Sequence, residues 1–285
     1  MLSKFLKTEK SIILTLKNIL VYANVFVAFA SVALLLVTYI VFSIPKNYDS
    51  YSYILFIFLS TYLQYNVQRG YMISASNVNS ERSQWLIKNR KFLLYSIVAS
   101  LIVVLFLCNN LSYTSIGIMV GAEVVSTAYY LPPFNMRKHG YIKPFLISFV
   151  WVVSCCIVPL LENKLLTIES CWFIASQFFF ISTLCLLFDV KDIEQDYYSG
   201  VNTYANKLGL TKTKIISLVV LSLSTISFYL FTKNINYQLV YIANSVITAI
   251  MVLVTTENKS HLFYYLFIDG LMLLQGLLFI VVGYK

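Results

Sequence analysis

The densest chemistry in the chain is a run of carboxylates, Asp189-Val-Lys-Asp192-Ile-Glu194-Gln-Asp196, followed by Tyr-Tyr-Ser-Gly200-Val-Asn-Thr203-Tyr-Ala-Asn-Lys207-Leu-Gly209. It holds four of the chain's 12 acidic residues. On a helix each residue turns by about 100°. Asp189, Asp192 and Asp196 then share a stripe about 60° wide, and Glu194 points to the opposite face. Three carboxylates on one stripe repel each other, and acidic groups at a helix C-terminus oppose the helix dipole. The pattern therefore predicts a cationic neutraliser. Oxygen ligands at this density suit Mg²⁺, which bridges one or two carboxylates to substrate phosphates. The plainer alternative is a solvated acidic helix end.

Two further carboxylates, Glu123 and Asp269, lie inside apolar runs. Such groups are costly in lipid and face a cavity or a partner. Asp269 and Tyr130 are candidates to line a site, and Glu123 is either an acceptor-side base or paired with a polar neighbour. The cysteines Cys108, Cys155, Cys156, Cys171 and Cys185 form no CxxC and read as apolar packing residues. His139 and His261 stand alone beside predicted membrane boundaries. No P-loop, GxGxxG, GxSxG or HExxH pattern is present, which disfavours the common nucleotide, hydrolase and zinc-protease chemistries.

The elements that must position these groups follow from composition. Of 285 residues, 59% are hydrophobic and 12% charged, and the mean hydropathy is +0.77. That excludes intrinsic disorder and a soluble globular enzyme, whose charged fraction is about 25%. The apolar runs are too long and too uniform for a transmembrane β-barrel. The net charge of +9 is better explained by topology than by nucleic-acid binding. The expected architecture is an all-α polytopic membrane protein. Nine runs qualify as spans, near 19–43, 51–66, 92–108, 111–131, 142–161, 168–188, 215–232, 237–254 and 262–283. Residues 1–18 read as an amphipathic surface segment and 19–285 as a single transmembrane domain. With nine spans, all 21 Lys and Arg except Lys46, Lys164, Lys233 and Lys285 fall on one side. The positive-inside rule makes that side cytoplasmic, N-terminus included. It also carries two long polar connections, near 66–91 and 189–214, where function is expected.

The run Asp189–Gly209 resembles the second aspartate-rich motif of the UbiA superfamily of intramembrane prenyltransferases, D-x-x-D-x-x-x-D followed by Gly, Thr and Leu-Gly. The stretch Tyr129-Tyr-Leu-Pro132-Pro-Phe-Asn-Met-Arg137-Lys138, with Tyr141, Lys143, Pro144, Trp151 and Pro159, is similar to that family's Tyr-x-x-x-Lys-Arg-type loop and its fifth span. The resemblance implies a helical bundle around a central lipid-accessible cavity. It implies Mg²⁺ on the diphosphate of an isoprenoid donor, and an aromatic or quinone-type lipophilic acceptor that captures the allylic cation. It makes Asp192 and Asp196 metal ligands, and Asp189 a ligand or its support. Arg137, Lys138 and Lys143 become diphosphate contacts.

The chain departs from that family in the first motif, N-x-x-x-D-x-x-x-D. The corresponding stretch is Asn66-Val-Gln-Arg69-Gly70-Tyr-Met-Ile-Ser74, with Gly70 and Ser74 where the aspartates belong. A shifted match, Asn77 to Glu81, lies further along. Asn66 and Arg69 remain as diphosphate contacts, Arg69 supplying charge directly to a phosphate. Two readings follow: a divergent prenyltransferase, or a protein of this fold that has lost catalysis and binds an isoprenoid or quinone lipid or a membrane partner. A transporter ranks below both, because the chain shows neither internal repeats nor paired Gly/Pro-broken helices.

Overall fold

In hydrocarbon every backbone N–H and C=O must be satisfied within its own segment, so long apolar runs become helices. The computed structural model describes residues 18–45, 47–75, 81–130, 139–198 and 200–283, and among these all regular structure is helical. In chain order the helices are α1 (Val25–Val41), α2 (Tyr48–Ala75), α3 (Glu81–Lys88), α4 (Arg90–Leu107) and α5 (Tyr113–Tyr130). They continue with α6 (Lys143–Glu162), α7 (Ser170–Lys191), α8 (Ile193–Tyr198), α9 (Tyr204–Phe231), α10 (Ile235–Val254) and α11 (His261–Gly283). Six of them, α4, α6, α7, α9, α10 and α11, are long and apolar enough to cross a membrane. The shorter α1 is also apolar. The long helices α2 and α5 occupy two further predicted runs and carry more polar residues.

Among the described residues the two long polar connections are mostly helical. Helix α2 runs past the predicted end at 66 to Ala75, and α3 follows it. In 189–214 the chain finishes α7, forms α8, and begins α9 eleven residues before the apolar run at 215. Hydropathy misses these ends because their side chains are polar. Local hydrogen bonds make them helical: Thr203 caps α9, its hydroxyl accepting from Asn206 N while Thr203 N donates to the Asn206 side chain. Gly209 then interrupts α9 at φ 80°, ψ 167°, a conformation essentially reserved for glycine.

Burial ranks the helices. In the most apolar stretch of α7, 61% is buried, against 17% for α4, so α7 is central and α4 lies at the periphery. The α7–α9 contact is extensive and is built on small polar residues. Ser224 Oγ donates to Ser176 O (2.7 Å) and Thr183 Oγ1 to Ser217 O (3.5 Å). Such residues let backbones approach closely where lipid supplies no hydrophobic drive. Helices α1 and α11 use the same device: a Cβ at Gly276 would stand 2.8 Å from Ala33 Cβ. Single π turns interrupt α6 at Val153–Ile157 and α11 at Tyr264–Ile268. π turns recur at functional sites, and the second of these carries Tyr265 and is followed by Asp269.

Candidate functional site

Two ionic clusters meet at the end of α7. The first is buried. Lys143 Nζ lies 2.7 Å from Asp189 Oδ1 and 3.4 Å from Asp196 Oδ2, and both carboxylates are 0% exposed. Three local features bring the groups together. Lys143 opens α6, ahead of Pro144, where a proline's missing N–H costs nothing. Before it, Gly140 lies so close to the Asn202 backbone that a Cβ would sit 2.5 Å from the Asn202 carbonyl oxygen. The α8 turn is closed by Asp196 N donating to Asp192 O (2.8 Å) and Val201 N donating to Asp196 O (2.9 Å).

The predicted single stripe is therefore divided. Helix α7 ends at Lys191, and Asp192, at φ −96°, ψ 8°, breaks the helical path. Asp189 and Asp196 turn to Lys143, whereas Asp192 pairs with Lys191 (3.1 Å).

The second cluster gathers around Tyr265. Lys191 Nζ donates to Tyr265 Oη (3.4 Å) and lies 4.7 Å from the ring centre. The Arg82 guanidinium sits over the same ring at 4.9 Å, a cation–π placement. Arg82 Nη2 donates to Asn24 Oδ1 and to Tyr22 O (3.3 Å). Asn24, at φ 60° ahead of α1, donates in turn to Asn66 Oδ1 (3.1 Å). Asn66 donates to Ala23 O (3.0 Å) and Tyr62 O (2.8 Å). Arg69 is near enough that its charge acts on Arg82, Tyr265 and His261, and Asp269 lies within reach of the charges of Lys191 and Arg82. Burial, and next the like charge of Arg69, pull the Arg82 guanidinium down to about 10. It remains cationic at neutral pH.

The sequence-predicted residues thus separate. Asp189, Asp196 and Lys143 form the first cluster; Asp192, Asp269 and Arg69 belong to the second. Asn66 was expected to touch diphosphate, but its whole amide is used in joining α1 to α2, so it positions Asn24 and, through it, Arg82. Glu123 is exposed on α5, accepts from Thr127 Oγ1 (3.3 Å), and joins neither cluster. Arg137, Lys138 and the Asn77 of the shifted motif lie outside the described residues, as do the N-terminal segment up to residue 17 and the side chains of Tyr130 and Ser74. Sequence reading missed Arg82, Lys191, Tyr265 and Asn24 as site residues. Arg82 and Lys191 entered it only as topology charges, although the carboxylate stripe itself demanded nearby cations.

No family model matches the chain, and no curated protein matches it in sequence. Solved structures do. A UbiA homolog from Archaeoglobus fulgidus, bound to Cd²⁺, superposes with a TM-score of 0.61 at 16% identity, covering 93% of this chain and 99% of the other. A structure of digeranylgeranylglyceryl phosphate synthase superposes at 0.59 with 17% identity, covering 94% and 98%. The chain has the UbiA fold.

Within the UbiA fold the ends of α2 and α7 are the places where the resemblance put the two aspartate-rich motifs. Here the α2 end contributes Asn66, Arg69 and Gly70, and the α7 end contributes Asp189, Lys191 and Asp192. Among the described residues no three His, Cys, Asp or Glu side chains converge closely enough to hold a metal ion. Asp189 and Asp196 already face a lysine, and arginine stands near where the first-motif carboxylates would be. This donor set does not fit a carboxylate-built magnesium pair. What it can do is hold an anion: Arg presents a planar fork matched to phosphate oxygens, and Lys presents a point charge.

Proposed function

We propose that the protein is a UbiA-type membrane prenyltransferase that moves an isoprenoid chain from an allylic diphosphate to a lipophilic acceptor of aromatic or quinone type. The observation that carries this reading is the convergence of Arg69, Arg82, Lys191 and Tyr265 from α2, α3, α7 and α11 at one end of a bundle with the UbiA fold. The chemistry asked of the site is breakage of the allylic C–O bond, with the electron pair leaving on diphosphate. The acceptor's nucleophile then forms the new bond and loses its proton. Cations fixed beside the leaving oxygens stabilise the charge that develops there. An apolar chamber keeps water from the allylic cation. The magnesium that the family resemblance implies has no step in this reading, because the donor set above does not fit it. The segregation of Lys and Arg supports a cytoplasmic location for this end, with residues 19–285 acting as one membrane unit.

A second reading is favoured by one specific observation: Gly70 and Ser74 replace the first-motif aspartates, and the Asn66 amide is consumed structurally. In that reading the bundle binds an isoprenoid or quinone lipid without transfer. A transfer assay separates the two. Purified protein receives a panel of isotope-labelled allylic diphosphates together with a lipid extract of its host membrane. Labelled prenyl product identified by mass supports the enzyme. Retained donor, bound but unconverted for every chain length, overturns it in favour of the binding protein.

A further inference from the structure

Among the described residues neither guanidinium group at the α2–α3 corner has a carboxylate in contact, and Asp269 acts on Arg82 only through space. Arg82 is 8% exposed, and its hydrogen bonds go to neutral oxygens, Asn24 Oδ1 and Tyr22 O. Its Nε is buried with no hydrogen-bond partner. Among the described residues no carboxylate stands within 4.0 Å of Arg82 or of Arg69. Arg82 also lies within reach of the like charge of Arg69. A buried charge without a contacting counter-ion is costly, and a second cation nearby adds to that cost. Two of the contacts that hold Arg82 are directional: Asn66 fixes Asn24, and Asn24 fixes one guanidinium nitrogen, while the Tyr265 ring centre lies 4.9 Å from the guanidinium carbon. Lys191 reaches the same ring, donating to the Tyr265 hydroxyl. The result is a pre-set cationic group in which Arg82 Nε remains an unused donor.

We infer that Arg69, Arg82 and Lys191 take the diphosphate of the isoprenoid donor directly, in place of a divalent metal. This rests on the prenyltransferase reading of the same site and departs from the metal-dependent scheme that the fold family implies. Arginine supplies the charge where Gly70 and Ser74 remove the first-motif carboxylates. Lys143 bridges Asp189 and Asp196 and offsets one of their two negative charges. Asp192 competes with the diphosphate for Lys191.

The test is direct binding to the full-length protein in detergent, read by calorimetry and by thermal shift. The probes are inorganic diphosphate and geranyl thiodiphosphate, a non-ionising donor analogue, each with excess EDTA and with Mg²⁺. Binding and a raised Tm in EDTA, within about threefold of the values in Mg²⁺, are expected. Inorganic diphosphate binding separates recognition of the free anion from recognition of the lipid-linked group. Arg69→Gln and Arg82→Gln should each weaken binding by about tenfold or more, the loss of one charge-assisted contact. Arg82→Lys serves if the glutamine variant fails to fold, and should recover part of the affinity. Asp192→Asn should tighten binding by releasing Lys191. Binding that vanishes in EDTA, or that is lost in Asp192→Asn and unaffected in Arg69→Gln, overturns the inference. If binding is metal-free but no donor is ever transferred, the anion site stands and the prenyltransferase reading falls. If transfer occurs only with Mg²⁺, the reverse holds.

Discussion

At the scale of single residues, the most consequential contact is Lys143 between Asp189 and Asp196. Removing the cation from a buried ion cluster leaves carboxylates without compensation, a loss of about 3–5 kcal/mol. Lys143→Gln is expected to lower the thermal midpoint strongly in detergent, and adding Asp189→Asn with Asp196→Asn should restore much of it. If Lys143→Gln melts with the wild type, the cluster contributes nothing to stability. The need for a cation was legible in the sequence, because three aspartates on one stripe cannot stand alone. Its identity was not. Lys143 lies 53 positions from Asp196, and nothing local distinguishes a lysine that closes such a cluster from one that marks a membrane face. Tyr265 was hidden for a related reason: in a chain with 22 tyrosines, one more at a membrane boundary carries no signal until a fold sets two cations against it.

At the scale of elements, the apolar runs announced the helix bodies, and polar ends concealed their true lengths. The extension of α2 to Ala75 and the early start of α9 are what carry Arg69 toward Tyr265 and bring Asn202 against Gly140. Hydropathy is blind to both, and the Thr203–Asn206 cap lacks the usual Glu or Gln at its third position. Backbone conformation gives a matched test. Gly209→Ala forces a side chain into φ 80° and should cost about 1–3 kcal/mol, although no atom stands within 4 Å of the new Cβ. Gly70→Ala, also in open space but in a helix, should be neutral or stabilising by up to about 1 kcal/mol. Equal effects in a thermal melt would contradict the kink in α9. Gly276→Val drives a side chain into Ala33 and should cost about 1–3 kcal/mol by overpacking the α1–α11 contact, seen as a lower midpoint and reduced yield of folded protein.

At the scale of the whole molecule, the scarcity of charge is the organising fact. With 12% charged residues, nearly every ionic group either marks a membrane face or belongs to the two clusters at the end of α7. Sidedness is testable through Cys171, exposed beside the start of α7 at the opposite end of that helix. In a variant retaining only this cysteine, a membrane-impermeant maleimide should label intact spheroplasts. Labelling only after lysis would invert the orientation. The central claim is that the Arg69–Arg82–Lys191 cluster binds an isoprenoid diphosphate and stabilises its departure. The most direct measurement is diphosphate release coupled to labelled prenyl product, from purified protein with excess EDTA, wild type against Arg82→Gln. The account predicts turnover by the wild type that falls at least tenfold in the variant, about 1.4 kcal/mol of lost transition-state stabilisation. Turnover that disappears in EDTA and returns with Mg²⁺, with Arg82→Gln as active as the wild type, would contradict it.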